Sequence, residues 1–343
     1  MIDKSNNIRI GIIGTGMISN VIASAINQAN QATLVAVSSR SLKNAQTFAD
    51  THHIPHTFDQ WETLVQWDGI DAAYIGTPTI AKEAIAITAA ENGKHILVDK
   101  PFIDVASVKR ITAVCTENNV AFMDATHFTH HPRTALLQKT ISSQIGNPQA
   151  INSTFFFPFL DRDNIRYNPA AEPTGAIGDM TWYSLRGIVE YMPEAKEIES
   201  LKTFVQRDPQ TNAIFRAAGL IEFKGGMTST WNIGYNAGVC RMDLDILGES
   251  GSIQLDDFVL DWNSGFAFDN PDHQVIYTLR TGMASPQEFQ HLPVGNTQPQ
   301  TVHMINHFAQ LIQEDNQEAI KNSIQKTEKT QTFLDAVWDS ITQ

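Results

Sequence analysis

The chain has 343 residues, 42% of them hydrophobic and 18% charged, enough for two domains with sizeable cores. A net charge of −13 argues against nucleic acid as the main partner, because neutralising phosphates needs clustered Lys and Arg. Cys115 and Cys240 are the only cysteines and lie far apart, so neither a disulfide framework nor a cysteine zinc site is expected.

The opening MIDKSNN runs straight into a strand-like segment without a secretion signal. No apolar run reaches the ~18–20 residues needed to span a bilayer. The expectation is a cytoplasmic protein with no membrane partner. From Asn7 to about Phe128, apolar runs at 8–14, 33–39, 71–78, 95–101 and 120–128 alternate with helical stretches. MISNVIASAINQ (17–28) and AKEAIAITAAENG (81–93) have helical periodicity, and Asn92-Gly93 is a C-terminal stop signal. Strands rich in β-branched residues, separated by helices, predict a parallel sheet buried on both faces.

Beyond that the pattern changes. HPRTALLQKTISSQIG (131–146) reads as a helix and INSTFFFPFL (151–160) as a strand. Strand-like stretches at 201–207, 213–223, 227–235, 240–248 and 251–260 have no comparable helices between them, which predicts antiparallel sheet. One helix, about 178–192, interrupts the series, and the tail returns to helix from about Thr301.

Gly14-Thr15-Gly16-Met17-Ile18-Ser19 fits G-x-G-x-x-small at a strand-to-helix junction. The first glycine permits the tight turn and the second lets backbone approach a pyrophosphate. The small Ser19 allows close helix–strand packing, and the helix N-terminus supplies N–H donors. A purely structural glycine turn, or a site for another nucleotide, is the competing reading. A dinucleotide turn usually has an acid about 20 residues on, holding the ribose 2′-hydroxyl. Here no acidic residue follows until Asp50, and the second strand ends in Ser38-Ser39-Arg40-Ser41. Hydroxyls and a guanidinium favour a 2′-phosphate instead, so NADP(H) is expected ahead of NAD(H). A merely solvated Arg40 is the alternative.

Three further stretches carry a family resemblance. IGTPTIAKEAIAITAAENGKHILVDKPF (75–102) resembles the segment ending in Glu-Lys-Pro in the glucose–fructose oxidoreductase/inositol dehydrogenase (Gfo/Idh/MocA) family. MDATHFTHHPRTALLQKTI (123–141) is similar to the start of that family's second domain. GAIGDMTWYSLRGIVEYM (175–192) is similar to its catalytic helix, with Asp-x-x-x-His or Asp-x-x-x-Tyr. The last two look closest to the branch of dimeric dihydrodiol and NADP-dependent xylose dehydrogenases. The likeness spans essentially the whole chain, with the motifs in order.

The resemblance implies an α/β Rossmann domain, residues 1–128, followed by an α+β domain with a large, mostly antiparallel open sheet, residues 129–343. C-terminal helices are expected to pack back on the first domain. It also implies a homodimer or dimer of dimers, and hydride transfer between a nicotinamide and a sugar, polyol or cyclic diol. Gly14, Thr15, Gly16, Met17, Ile18, Ser39, Arg40, Thr77, Pro78, Lys100 and Pro101 would hold the cofactor. Lys100, Tyr183 and Asp179 would be catalytic. The chain departs from the family pattern at Asp99, where Glu is usual, at Thr79 and Lys82, where Asn and His are usual, and at Thr174, where Gly is usual.

A free Lys or Tyr is a poor base at neutral pH. Burial lowers a Lys pKa and a nearby cation lowers a Tyr pKa, so placing Lys100 beside Tyr183 and a nicotinamide would suit both to proton transfer. Alone, Lys100 is an ordinary lysine before a Pro-defined turn, Asp179 a charge favouring a helix N-terminus, and Tyr183 a core aromatic. Four residues apart, Asp179 and Tyr183 share one helix face, where Asp179 would accept from a substrate hydroxyl. His127, His130 and His131 invite a metal reading, but Pro132 interrupts any helix there and no carboxylate or cysteine stands at ligand spacing. No metal is expected. His127, Arg133 and Arg166 are candidate substrate contacts, and Trp182 is expected to pack. The rival of another class is a non-catalytic dinucleotide-binding sensor or regulatory protein on the same fold.

Overall fold

Six parallel strands lie between helices, four of them on runs rich in Ile, Val and Ala: β1 (Ile8–Ile13), β2 (Ala32–Ser38), β4 (Ala72–Ile75) and β5 (His95–Val98), with the shorter β3 (His56–Phe58) and β6 (Phe122–Asp124). The structure is a computed structural model that describes residues 7–262, 268, 270, 272–295 and 298–342. Strand order is β3-β2-β1-β4-β5-β6, with every pairing parallel. The order reverses between β1 and β4, and the crevice at their carboxyl ends is where open α/β sheets bind ligands. The connecting helices are α1 (Met17–Gln28), α2 (Leu42–His52), α3 (Trp61–Gln66), α4 (Lys82–Glu91) and α5 (Val105–Glu117). α4 stops at Asn92, and Gly93 follows at φ +70°.

The chain divides into two units, Met1–His130 with Gln298–Glu328, and His131–Thr297 with Lys329–Gln343. Ile10, Ile12, Leu34, Val37 and Tyr74 centre the first core, and Ile305 and Phe308 pack into it from a helix far along the chain.

The second unit opens with α6 (Pro132–Thr140), which continues through a π-helical turn, Ile141–Ile145. Pro132 sits at the start of α6, where its missing N–H costs nothing, and His131 caps the helix by accepting from the Arg133 N–H at 3.0 Å. The fifteen-residue helix read at 178–192 likewise begins as a π turn, Ile177–Thr181, before α7 (Trp182–Tyr191). Every side chain of α7 is buried.

The second sheet contains β7 (Pro148–Phe156), β8 (Ile198–Arg207), β9 (Ile214–Phe223), β10 (Thr228–Gly234), β11 (Arg241–Gly248), β12 (Gly251–Leu255), β13 (Ile276–Thr281) and β14 (Gln290–Pro293). Its order is β14-β13-β12-β11-β7-β10-β9-β8, antiparallel throughout except for the β7–β10 pair. The strand read at 251–260 stops at Leu255, and the chain then leaves the sheet with Asp257 and Phe258 buried. The chain ends in α8 (Gln300–Gln313) and α9 (Gln317–Thr342), and the division between the units falls inside α9. Among the described residues no helix is long and apolar enough to cross a membrane.

Candidate active site

In the first unit, β1 delivers the chain into the glycine turn. Gly14 has φ +102°, and a Cβ there would lie 2.9 Å from the Gly76 carbonyl oxygen, so only glycine fits. A Cβ on Gly16 would meet nothing within 4 Å, which leaves open space over the first turn of α1. Gly16 caps α1 without a side-chain bond, so the first N–H groups of α1 are available to an anion. The buried hydroxyls of Ser19, Ser38 and Thr77 have no hydrogen-bond partner among the described residues. Orphaned hydroxyls at the carboxyl ends of β2 and β4 are what a polar ligand in this crevice would satisfy.

Thr15 Oγ1 lies 3.4 Å from Ser39 Oγ, which ties the turn to the end of β2. Arg40 follows and is exposed, and Ser41 caps α2 by accepting from the Asn44 N–H. This stretch occupies the place of the usual ribose-binding acid. The turn, the unsatisfied hydroxyls and the adjacent guanidinium together fit a dinucleotide carrying a 2′-phosphate.

Thr77 and Pro78 follow β4, and Lys100 and Pro101 follow β5 across a cis peptide bond. Lys100 is buried. Lys82, the first residue of α4, is also buried and donates from Nζ to the carbonyl oxygens of Lys100 and Pro101, 2.9 Å each.

The histidines disperse to separate tasks. His127 Nδ1 is 2.9 Å from Gln300 Nε2, and burial, with the Lys100 charge adding to it, pushes its pKa down to about 3. His130 pairs with His307, their Nδ1 atoms 3.0 Å apart, while His131 caps α6. A neutral buried His127 has a consequence for stability. Below pH 6.5 the unfolded chain takes up a proton there that the folded chain refuses until about pH 3, so stability falls with pH through that window. At pH 5 the loss is expected to be about 2 kcal/mol. Denaturant melts at pH 7 and pH 5 should show it in the native chain and not in His127→Gln.

In the second unit, Arg166 Nε donates to Asp179 Oδ2 at 2.6 Å, and the Tyr235 hydroxyl donates to the same oxygen at 3.2 Å. The Arg166 guanidinium also lies over the Phe159 ring, 4.0 Å from its centroid. Burial works against the Arg166 charge, but Asp179 and the phenols of Tyr235 and Tyr183 outweigh it and hold its pKa above the ordinary arginine value. Burial, and then the Asp179 carboxylate, raise Tyr235 well above the ordinary phenol value. Asp179 is therefore held by two fixed donors inside the chain. Tyr183, one turn on, is buried edge-on against Phe155 with ring centroids 5.5 Å apart.

Arg133 is engaged elsewhere. It is buried, with Nη1 2.5 Å from Asp257 Oδ1 and Nη2 3.0 Å from the Asp257 carbonyl oxygen, so its guanidinium ties α6 to the segment after β12. Trp182 is fully buried. Gly175, beside the variant Thr174, has φ +51° and leaves only 2.5 Å between a Cβ and the Ile214 carbonyl oxygen, so it carries the turn into the helix. Tyr235 and Gln300 were not legible as site residues. A lone tyrosine at a strand end and a glutamine 173 positions from its histidine leave no local pattern.

Comparison with known proteins agrees with this geometry. The pattern described as "Oxidoreductase family, NAD-binding Rossmann fold" matches residues 8–126, and the "GFO/IDH/MocA C-terminal domain" matches residues 135–254. D-xylose 1-dehydrogenase (NADP(+)) 2 of Haloferax volcanii is 28% identical over 223 residues, 64% of this chain and 67% of that protein. Trans-1,2-dihydrobenzene-1,2-diol dehydrogenase of Xenopus laevis is 33% identical over 156 residues, 43% of this chain and 46% of that protein. A 3-ketoreductase from Actinomadura kijaniata, solved with NADP and TDP-benzene, shares the fold at a TM-score of 0.84 and 20% identity, covering 98% of each chain. With both of its domains matched in order and the glycine turn, the β5 lysine and the Asp-x-x-x-Tyr helix in place, the chain belongs to the GFO/IDH/MocA family of oxidoreductases.

Proposed function

We propose that this chain is an NADP(H)-dependent oxidoreductase acting on a sugar, polyol or cyclic diol, with Lys100 and Tyr183 handling the proton. The observation that carries the cofactor is Ser39-Arg40 at the carboxyl end of β2, beside a turn open at Gly16. The named relatives, one an NADP(+) xylose dehydrogenase and another a dihydrodiol dehydrogenase, support the reaction class.

Gly14 to Ile18 would hold the pyrophosphate on the α1 N-terminus, Ser39 and Arg40 the 2′-phosphate, and Thr77, Pro78, Lys100 and Pro101 would line the reacting end. Bound NADP(H) supplies or takes the hydride. The chain's own task is to move the hydroxyl proton and to orient the carbon that bears it. Tyr235, kept protonated, works as a donor to Asp179 and not as a proton shuttle, and Tyr183 is the reactive phenol of this reading. Arg166 and Tyr235 fix the Asp179 carboxylate, a rigid acceptor for a second substrate hydroxyl. By register, Phe204, Leu220 and Leu247 lie on one face of the second sheet and are exposed, which suits pairing of two copies through that face.

The test is reduced-nicotinamide absorbance with NADP⁺ and NAD⁺ across aldoses, polyols, cyclitols and cyclic diols. Turnover faster with NADP⁺ is expected. Arg40→Asp should lower kcat/KM for NADP⁺ by about 10–100-fold and raise it for NAD⁺, since a charge-assisted bond is lost and an acid gained. Tight NADP(H) binding without turnover on any alcohol or carbonyl would favour the sensor.

A further inference from the structure

We propose that Lys82 is a positioning residue for Lys100, holding the main-chain bend at Lys100-Pro101 through its ammonium. The inference rests on the reading of Lys100 as a proton-handling group. Lys82 stands where the family pattern carries histidine, and local physics gives no reason for a lysine there. It opens α4, where the positive end of the helix dipole disfavours a cation. It is 3% exposed, and a buried ammonium is costly unless its donors are satisfied. Its long stem crosses from one βα connection to the next and places Nζ 2.9 Å from two successive carbonyl oxygens, those of Lys100 and Pro101.

Successive carbonyls in a strand point to opposite sides, whereas these two converge on one cation, so the chain turns at Lys100. Pro101 has no N–H, and its carbonyl is the only main-chain group by which it can be anchored. The Lys100 carbonyl lies in the Lys100-Pro101 peptide plane and the Pro101 carbonyl in the plane that follows, so fixing both holds the two peptide planes that flank Pro101. The first of these planes begins at the Lys100 Cα, so the bend anchors the point from which the Lys100 side chain leaves the backbone. Lys82 itself touches main chain, so its role is to aim Lys100.

The experiment compares Lys82→Met, Lys82→Arg and Lys100→Ala in the full chain. Each is measured for kcat, for KM of the best alcohol, for NADPH affinity by fluorescence titration, and for Tm. Lys82→Met is expected to lower kcat about 10–100-fold, as misplacement by about 1 Å does, with NADPH Kd and KM within threefold of the native chain. Lys82→Arg, which restores a cation, should recover most of that loss. Should Lys82→Met not fold, Lys82→Gln serves the same comparison. A Lys82→Met chain with native kcat beside an inactive Lys100→Ala would overturn the positioning role alone. Equal losses in kcat and NADPH affinity, unrelieved by arginine, would also overturn it, showing a general structural part. Native turnover in Lys100→Ala would remove the reading beneath it as well.

Discussion

Alanine at position 100 should lower kcat by about 10²–10⁴-fold while NADPH affinity stays within a few-fold of the native value. Lys100 is buried at the carboxyl end of β5, next to the reversal of strand order where α/β sheets bind ligands. A group there that only bound cofactor would change affinity. A group that moves a proton in the transition state lowers kcat and kcat/KM together. Tyr183→Phe keeps the ring against Phe155 and removes only the hydroxyl, so it isolates the proton step from packing. The double variant decides whether the two act on one proton. Residues that work as a unit are non-additive, so Lys100→Ala/Tyr183→Phe should lose little more than the worse single variant. Stopped-flow traces of nicotinamide absorbance for the four proteins give that cycle.

The largest effect on stability is expected at the buried Arg133–Asp257 pair. Arg133→Met should cost about 3–5 kcal/mol, because it leaves the buried Asp257 carboxylate without its cation. Asp257 is 1% exposed, and its second carboxylate oxygen has no partner among the described residues. Burial raises the Asp257 pKa even with Arg133 opposing it, and removing the guanidinium raises it further. A carboxyl whose folded pKa lies above its unfolded value favours folding at low pH and loses that contribution as pH rises. The deficit of Arg133→Met should therefore be greatest at pH 8 and shrink toward pH 5. Thermal melts should show a drop of roughly 10 °C at neutral pH, and Arg133→Met/Asp257→Leu should regain most of it. A substrate contact would behave differently, raising KM and sparing Tm.

That contrast shows where sequence reasoning reaches its limit. Arg133 stands in a motif, and its residue type suits a polyol or a phosphate. Its partner Asp257 is 124 positions away and carries no local signal. The strands of the first unit were legible because β-branched runs recur between helices. β3 was not, since His56-Thr57-Phe58 is three residues long and shows no alternation. The switch from π to α pitch between Asp179 and Tyr183 is invisible in a spacing of four, which reads as plain helix. The glycine turn could be placed to the residue from its G-x-G-x-x-small spacing, and at Gly14 the structure gives the reason, since φ +102° and the close Gly76 carbonyl exclude a side chain. Lys82 appeared only as a departure from a pattern, and its meaning lies in a contact 18 positions on.

The buried surroundings of α7 bear on how such a protein can be retargeted. With all ten residues from Trp182 to Tyr191 enclosed, the segment that carries Tyr183 has no position free to vary without disturbing its neighbours. New substrates must therefore be won elsewhere, in the irregular stretch 157–172 that brings Phe159 and Arg166 toward Asp179. A directed-evolution library confined to that stretch, with Arg166 held constant to keep Asp179 in place, would sample recognition, whereas one aimed at the helix would mostly return unfolded protein.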